Sequence, residues 1–249
     1  MNGLSNHVTV VTGGSRGIGA ATALLCGQNG HAICVTYRER ADQAEAVVAA
    51  IEDAGGRAIA VQTDTAVEAD VTRLFKTVDE RLGPLTGLVN NAGIYGPRIR
   101  FDALQNADVE QVLAVNVRAL FQCSKEAVLR MSTRYGGKGG AIVNVSSIAA
   151  KFGVPGSGVL YAASKGAVNS LTIGLSQEVA GEGIRVNAVA PGLTATDMPP
   201  PERLDRDGPN LPFGRAGQPE EVANAIYWLL TDKASYVAGA NMDVSGGRV

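Results

Sequence analysis

The chain has 249 residues, 45% of them hydrophobic and 18% charged, with 31 glycines and a formal net charge of −2. That length accommodates one large α/β domain or two small ones, and a near-neutral balance without a basic run excludes the usual nucleic-acid partners. No apolar stretch nears the roughly 20 residues of a membrane-spanning helix, and residues 2–6 carry no signal-peptide pattern, so no membrane partner and a cytoplasmic address are expected.

Residues 7–12 (His-Val-Thr-Val-Val-Thr) are β-branched and apolar, which predicts a central strand buried on both faces. Gly13-Gly14-Ser15-Arg16-Gly17-Ile18-Gly19 follows, then a helical run over 20–28. A strand, a glycine-rich turn and a helix make a phosphate site, because the helix start offers free N–H groups and a positive dipole end. The spacing is Gly13-x-x-x-Gly17-x-Gly19, distinct from the commoner Gly-x-Gly-x-x-Gly fingerprint. A second strand over 31–36 ends in Tyr37-Arg38-Glu39-Arg40, at the distance from the loop where a dinucleotide ribose is read. An acid there selects NAD and a guanidinium selects NADP. Arg38 argues for the phosphate, while Glu39 stands as a rival ribose ligand.

A helix is predicted over 41–54 and a third strand over 57–62. Asp64 beyond it either meets an adenine amine or caps the helix over 67–82. A fourth strand over 85–90 ends in Asn90-Asn91-Ala92-Gly93, small and amide residues that suit close approach to a ligand. Residues 107–131 read as one long helix with Asn116 in its middle, a mediocre helix former that needs partners if buried. The strand over 141–145 ends in Ser146-Ser147, and a loop over 153–158 leads to the next helix.

That helix opens with Tyr161-Ala-Ala-Ser-Lys165 and continues with Val168, Leu171, Leu175 and Val179 at helical steps. Tyr161 and Lys165 share one helix face, one turn apart. An ammonium at roughly 5 Å, with an effective dielectric of about 20, would favour phenolate by about 3 kcal/mol, bringing the phenol into range for acid–base work. A sixth strand over 184–189 runs into Pro191-Gly192. Residues 193–218 turn polar and proline-rich without periodicity, as a lid does, and 193–217 is taken as that lid. A helix over 219–230 bears Trp228 as an expected core anchor, and a last strand spans 240–244. Cys26, Cys34 and Cys123 share no metal-ligand spacing and read as buried thiols; with only His7 and His31 besides, no metal is expected. Strands and helices alternate throughout, which predicts a single α/β domain over 1–249 built on a doubly wound parallel sheet.

Thr12-Gly-Gly-Ser-Arg-Gly-Ile-Gly19, Asn90-Asn-Ala-Gly93, Asn116, Ser147, Tyr161-Ala-Ala-Ser-Lys165 and Pro191-Gly192, in this order, resemble the short-chain dehydrogenase/reductase family over essentially the whole chain. The nearest likeness is to bacterial carbonyl, sugar and 3-oxoacyl-type reductases. The resemblance implies a Rossmann-type seven-stranded sheet of order 3-2-1-4-5-6-7, a homotetramer, and hydride transfer between a nicotinamide cofactor and a small carbonyl or alcohol substrate. It gives Tyr161 the acid/base role, with Lys165 lowering its pKa and holding the nicotinamide ribose. Ser147 takes the substrate oxygen, with Ser146 as its rival, and Asn116 orders a proton-relay water. It places the cofactor against Gly13, Ser15, Arg16, Gly17, Ile18 and Gly19, then Tyr37, Arg38, Asp64 and Thr65. Asn91, Ala92, Gly93, Tyr161, Lys165, Pro191, Gly192 and Thr194 complete that set. The NAD-selecting aspartate position falls on Tyr37, so Arg38 with Arg16 implies NADP(H); NAD(H) stays open through Glu39. The stretch between Ser147 and Tyr161 is a residue longer than in many members. An NAD-linked alcohol or sugar dehydrogenase and a non-catalytic nucleotide sensor are the competing readings.

Overall fold

The computed structural model describes residues 7–248, so the reading of residues 2–6 lies outside the described residues. Seven strands form one parallel sheet in the order β3-β2-β1-β4-β5-β6-β7. They are β1 (Val8–Val11), β2 (Ala32–Tyr37), β3 (Arg57–Gln62), β4 (Gly87–Asn90), β5 (Gly140–Val145), β6 (Ile184–Pro191) and β7 (Asn241–Val244). Neighbours along a strand serve opposite faces, as the pleat requires. Val10, Leu88 and Ile142 belong to one core, which packs against Leu74 and Phe75 of α3 (Glu68–Arg81) and Met131 of α5 (Ala119–Met131). Val11, Val89 and Val143 belong to the other. That core is closed by Cys26 of α1 (Gly17–Gln28), Ile51 of α2 (Ala41–Asp53) and Ile226 of α9 (Pro219–Leu230). Coverage on both faces explains why the strands read as unbroken apolar runs. Trp228 packs against the rim of the second core without being enclosed, a peripheral place rather than the expected anchor.

The run over 107–131 departs from a regular helix. It begins as α4 (Asn106–Leu113), widens into a π-helical stretch over Ala114–Arg118 and resumes as α5. The widening is centred on Asn116, whose buried amide reaches sideways: Nδ2 donates to Ile94 O at 2.8 Å, and Oδ1 accepts Ile94 N–H at 2.8 Å. A π-turn commonly marks a place where a side chain is held for a purpose other than helix packing. Further differences lie beside the cavity described below. A short helix, α6 (Ala149–Phe152), precedes the predicted 153–158 loop, followed by Val154 at φ 44. A β-branched residue in that region stores on the order of 1–3 kcal/mol of strain. Residues 193–217, expected to lack regular structure, contain α8 (Pro201–Asp207) between pinned ends. Ala195 donates to Gly217 O at 2.8 Å, and Gly217 donates to Leu193 O at 2.9 Å. The helix that carries Tyr161 and Lys165, α7, spans Val159–Val179.

Candidate active site

The carboxyl ends of the strands converge on one cavity of about 780 Å3. One end is built by the glycine loop between β1 and α1. Gly13 and Gly17 hold φ of 62 and 53, the left-handed region open to glycine. A Cβ on Gly19 would stand 2.5 Å from Asn91 Nδ2 and closer still to the Gly13 carbonyl oxygen, so only glycine lets α1 start this near the loop. Gly19→Ala is expected to cost about 1–3 kcal/mol of stability by overpacking. Urea denaturation reads this, and an unmoved midpoint would show that the loop yields freely. The loop is braced from β4: Asn91 Nδ2 donates to Thr12 O at 2.9 Å and Gly13 O at 3.0 Å, and Thr12 Oγ1 accepts the N–H groups of Asn91 and Ala92. α1 begins without a side-chain cap, which leaves its first N–H groups for an anion.

Further along the same wall lie Tyr37, Arg38, Asp64 and Thr65. Arg38 and Glu39, which pull in opposite directions when read as nucleotide ligands, are paired with one another. Arg38 Nε and Nη2 donate to Glu39 Oε1 at 2.9 and 2.6 Å. Arg16 reaches across the cavity to Asp197 at 3.2 Å. Asp64 does not cap the next helix, which starts at Glu68. Its Oδ1 accepts the Ala66 N–H at 2.9 Å, and the cap position is Val67, which has no side-chain acceptor.

At the cavity's centre stand Tyr161, Lys165 and Ser147. The Tyr161 ring is buried. Lys165 is buried too and donates from Nζ to Val145 O at 2.7 Å. Burial pulls its ammonium down to about 8. Nζ lies 5.8 Å from the Tyr161 ring centroid, close to the spacing expected for residues one turn apart. Burial works against the expected lowering of the phenol. Burial raises the Tyr161 pKa above the ordinary phenol value, and the Ser147 hydroxyl beside it opposes this only in part. Arg203 and Arg98 draw it part of the way back down. The two serines separate cleanly. Ser146 donates to Asn169 Oδ1 at 2.5 Å and to Lys165 O at 3.2 Å, whereas Ser147 Oγ accepts the Ala149 N–H at 3.1 Å and lies beside the Tyr161 phenol. Asn116 lies behind this group. Besides Ile94 it binds Ser164 Oγ at 3.0 Å, and a Cβ on Gly93 would meet both Asn116 Oδ1 at 3.4 Å and Lys165 Nζ at 3.5 Å.

A family model described as enoyl-(acyl carrier protein) reductase matches residues 13–248. The chain belongs to the short-chain dehydrogenase/reductase family. Among relatives of this short-chain dehydrogenase/reductase, an uncharacterized oxidoreductase, YgfF, of Escherichia coli K12 is 49% identical over 245 residues, covering 97% of this chain and 99% of its own. A 3-oxoacyl-[acyl-carrier-protein] reductase of Synechocystis is 40% identical over 250 residues, covering 100% and 99%. The crystal structure of a short-chain dehydrogenase from Burkholderia cenocepacia in complex with NADP superposes with a TM-score of 0.91 at 38% identity, covering 99% of each chain.

In this short-chain dehydrogenase/reductase, Gly13, Ser15, Arg16, Gly17, Ile18, Ala92, Gly93, Pro191, Gly192 and Thr194 line the same cavity as Tyr161. Gly19 and Asn116 do not; they act on the residues that do. The three cysteines are buried free thiols, each pushed up to about 12 by burial. Among the described residues, none of the His, Cys, Asp or Glu groupings is fit to hold a metal ion, and no helix is long and apolar enough to cross a membrane.

Several lining residues escaped the sequence reading. Tyr95 stacks on Tyr161 with ring centroids 4.7 Å apart, and the Arg98 guanidinium lies 3.8 Å above the Tyr95 ring. Arg203 arrives from α8, about forty residues beyond Tyr161 in the chain, and Arg248 from the C-terminal end. Sequence offered one usable signal, an aromatic and an arginine shortly after Gly93; the arginines of 193–217 and the C-terminus carry no motif.

Proposed function

We propose that this protein is an NADP(H)-dependent reductase of carbonyl compounds, working reversibly on secondary alcohols, with Tyr161 as the proton-transfer group. The observation that carries this reading is the meeting of the Tyr161 phenol and the Ser147 hydroxyl in a cavity whose other end is a glycine loop with an uncapped helix start.

The residues fit a dinucleotide. Gly13 and Gly17 line the cavity without side chains, and the α1 N–H groups are unclaimed by side chains. Tyr37, Arg38, Asp64 and Thr65 would hold the adenosine half, and Asn91, Lys165, Pro191, Gly192 and Thr194 the nicotinamide half. When bound, the cofactor supplies or accepts the hydride. Tyr161, held as the neutral phenol by burial, is suited to donate its proton to the carbonyl oxygen. Ser147 donates a hydrogen bond to the same oxygen and stabilises the charge that develops there. Lys165, with an ammonium pKa brought to about 8, is placed to exchange protons near neutrality. Asn116 fixes the Ile94 backbone and supports the wall between β4 and α7. The 193–217 segment would serve as the lid over the substrate.

The choice of NADP rests on Arg38. Its pairing with Glu39 is exposed on both sides, so it is worth roughly 0–1 kcal/mol. A 2′-phosphate offers the guanidinium a doubly charged bidentate partner in its place. The Burkholderia relative, solved with NADP, supports this assignment. Fluorescence titration of wild type and Arg38→Ala tests it. NADPH affinity is expected to fall about tenfold or more in the variant, as for loss of a charge-assisted hydrogen bond, with NADH affinity little moved. Tighter NADH binding, unaffected by the substitution, would transfer the ribose contact to Glu39.

A further inference from the structure

The cavity wall changes character beyond Tyr161. Arg98 stands two stacking distances from the phenol, above Tyr95 at 3.8 Å, with Tyr95 on Tyr161 at 4.7 Å. Of the five N–H donors of its guanidinium, the Nη2 group is engaged, with Met198 O at 3.1 Å, and no carboxylate pairs with Arg98 among the described residues. Arg203 enters the same end from α8. Its Nε reaches Asp207 Oδ2 at 3.3 Å, and that carboxylate is shared with Arg206. Both guanidiniums are near enough to Tyr161 to act on its charge.

The carboxylates on the cavity wall are already engaged. Glu39 and Asp197 are matched by Arg38 and Arg16, and Asp64 is bound into its own turn. The substrate end therefore presents two cations with no opposing acid on the wall, amid the apolar groups of Ile94, Val154 and Met198. Such surroundings strengthen an ion pair relative to water. A guanidinium fork suits a planar, two-oxygen anion.

We infer that the carbonyl substrate carries an anionic group, remote from the reacting carbon, that is received between Arg98 and Arg203. This rests on the reductase reading and narrows its substrate class to charged carbonyl compounds such as oxo acids. A neutral ketone would leave Arg98 without an anionic partner and Arg203 with only Asp207, a carboxylate that Arg206 already shares.

The test is steady-state reduction of a panel of oxo acids, each paired with its methyl ester, with NADPH as reductant, by wild type, Arg98→Gln, Arg203→Gln and Arg98→Lys. A ketone bearing a phosphate monoester, run alongside, distinguishes a carboxylate site from a phosphate site. Wild type is expected to favour the anion over its ester by about tenfold or more in kcat/KM, the scale of one charged hydrogen bond. The glutamine variants should collapse that ratio through KM, and Arg98→Lys should recover part of it. Salt should weaken the preference. Esters reduced as well as acids, or a ratio unmoved by both glutamine variants, would overturn the inference and leave the reductase standing. No turnover of either class, with NADPH bound, would overturn the reductase reading and the inference with it.

Discussion

Tyr161→Phe is expected to lower kcat for carbonyl reduction by about a hundred- to ten-thousand-fold, the usual weight of a positioned general acid. Affinity for NADPH should stay close to wild type. The substitution removes one oxygen and keeps the ring, so the stack with Tyr95 at 4.7 Å survives. Ser147 remains to bind the carbonyl oxygen but has no comparable route to deliver a proton. Because burial holds the phenol above its ordinary pKa, the acid form persists through neutral pH. The reduction rate should not lose its proton donor until the medium is more alkaline than the usual phenol range, near pH 10. Single-turnover rates and a pH profile of both proteins decide the matter. Wild-type rates in the variant would remove Tyr161 from the chemistry.

Lys165→Met should move activity and stability in opposite directions. Burial brings the Lys165 ammonium from 10.5 to about 8, which means that keeping the charge there costs the fold about 3 kcal/mol. The sign follows from proton linkage. Below about pH 8 the lysine is charged in both folded and unfolded chains, and the full cost is present. Between about 8 and 10.5 the folded protein sheds the proton while the unfolded chain keeps it, so wild-type stability gains on the variant as pH rises. Methionine fills similar space without the charge but forfeits the bond to Val145 O, worth about 1.5 kcal/mol or more. The variant is expected to be about 1–2 kcal/mol more stable at pH 7, with the advantage gone by pH 10, and to have lost at least a hundredfold in turnover if Lys165 holds the nicotinamide half and relays protons. Urea denaturation at the two pH values checks the first part. A variant less stable at pH 7 would show that the Val145 contact outweighs desolvation.

The inner strands were legible because they are enclosed on both faces, which makes β1 and β2 short, largely apolar and β-branched runs. β3 and α9 were bounded to the residue; α9 opens on Pro219, which suits a first helical position. The glycine loop and Tyr161–Lys165 were legible because their chemistry needs residues close in sequence. What stayed hidden depends on contacts across the fold. The π-turn at Asn116 follows from an amide bonded to Ile94, twenty-two residues earlier, and no helical periodicity encodes it. Burial of the phenol stayed hidden too, because the helix spacing supplies a distance to Lys165 but says nothing of desolvation. Arg98 and Arg203 share a cavity wall with Tyr161 only once the loop after β4 and α8 reach the same edge of the sheet.

The two hydrogen bonds that join Gly217 to Leu193 and Ala195 across the base of the 193–217 segment have an evolutionary reading. They fasten the segment at its root, so its interior can change length and composition without disturbing β6 or α9. Residues 193 and 217 are therefore natural exchange points. A relative's segment grafted between them would bring its own residues to the cavity wall while β6 and α9 keep their places, so that wall can diversify without a new fold.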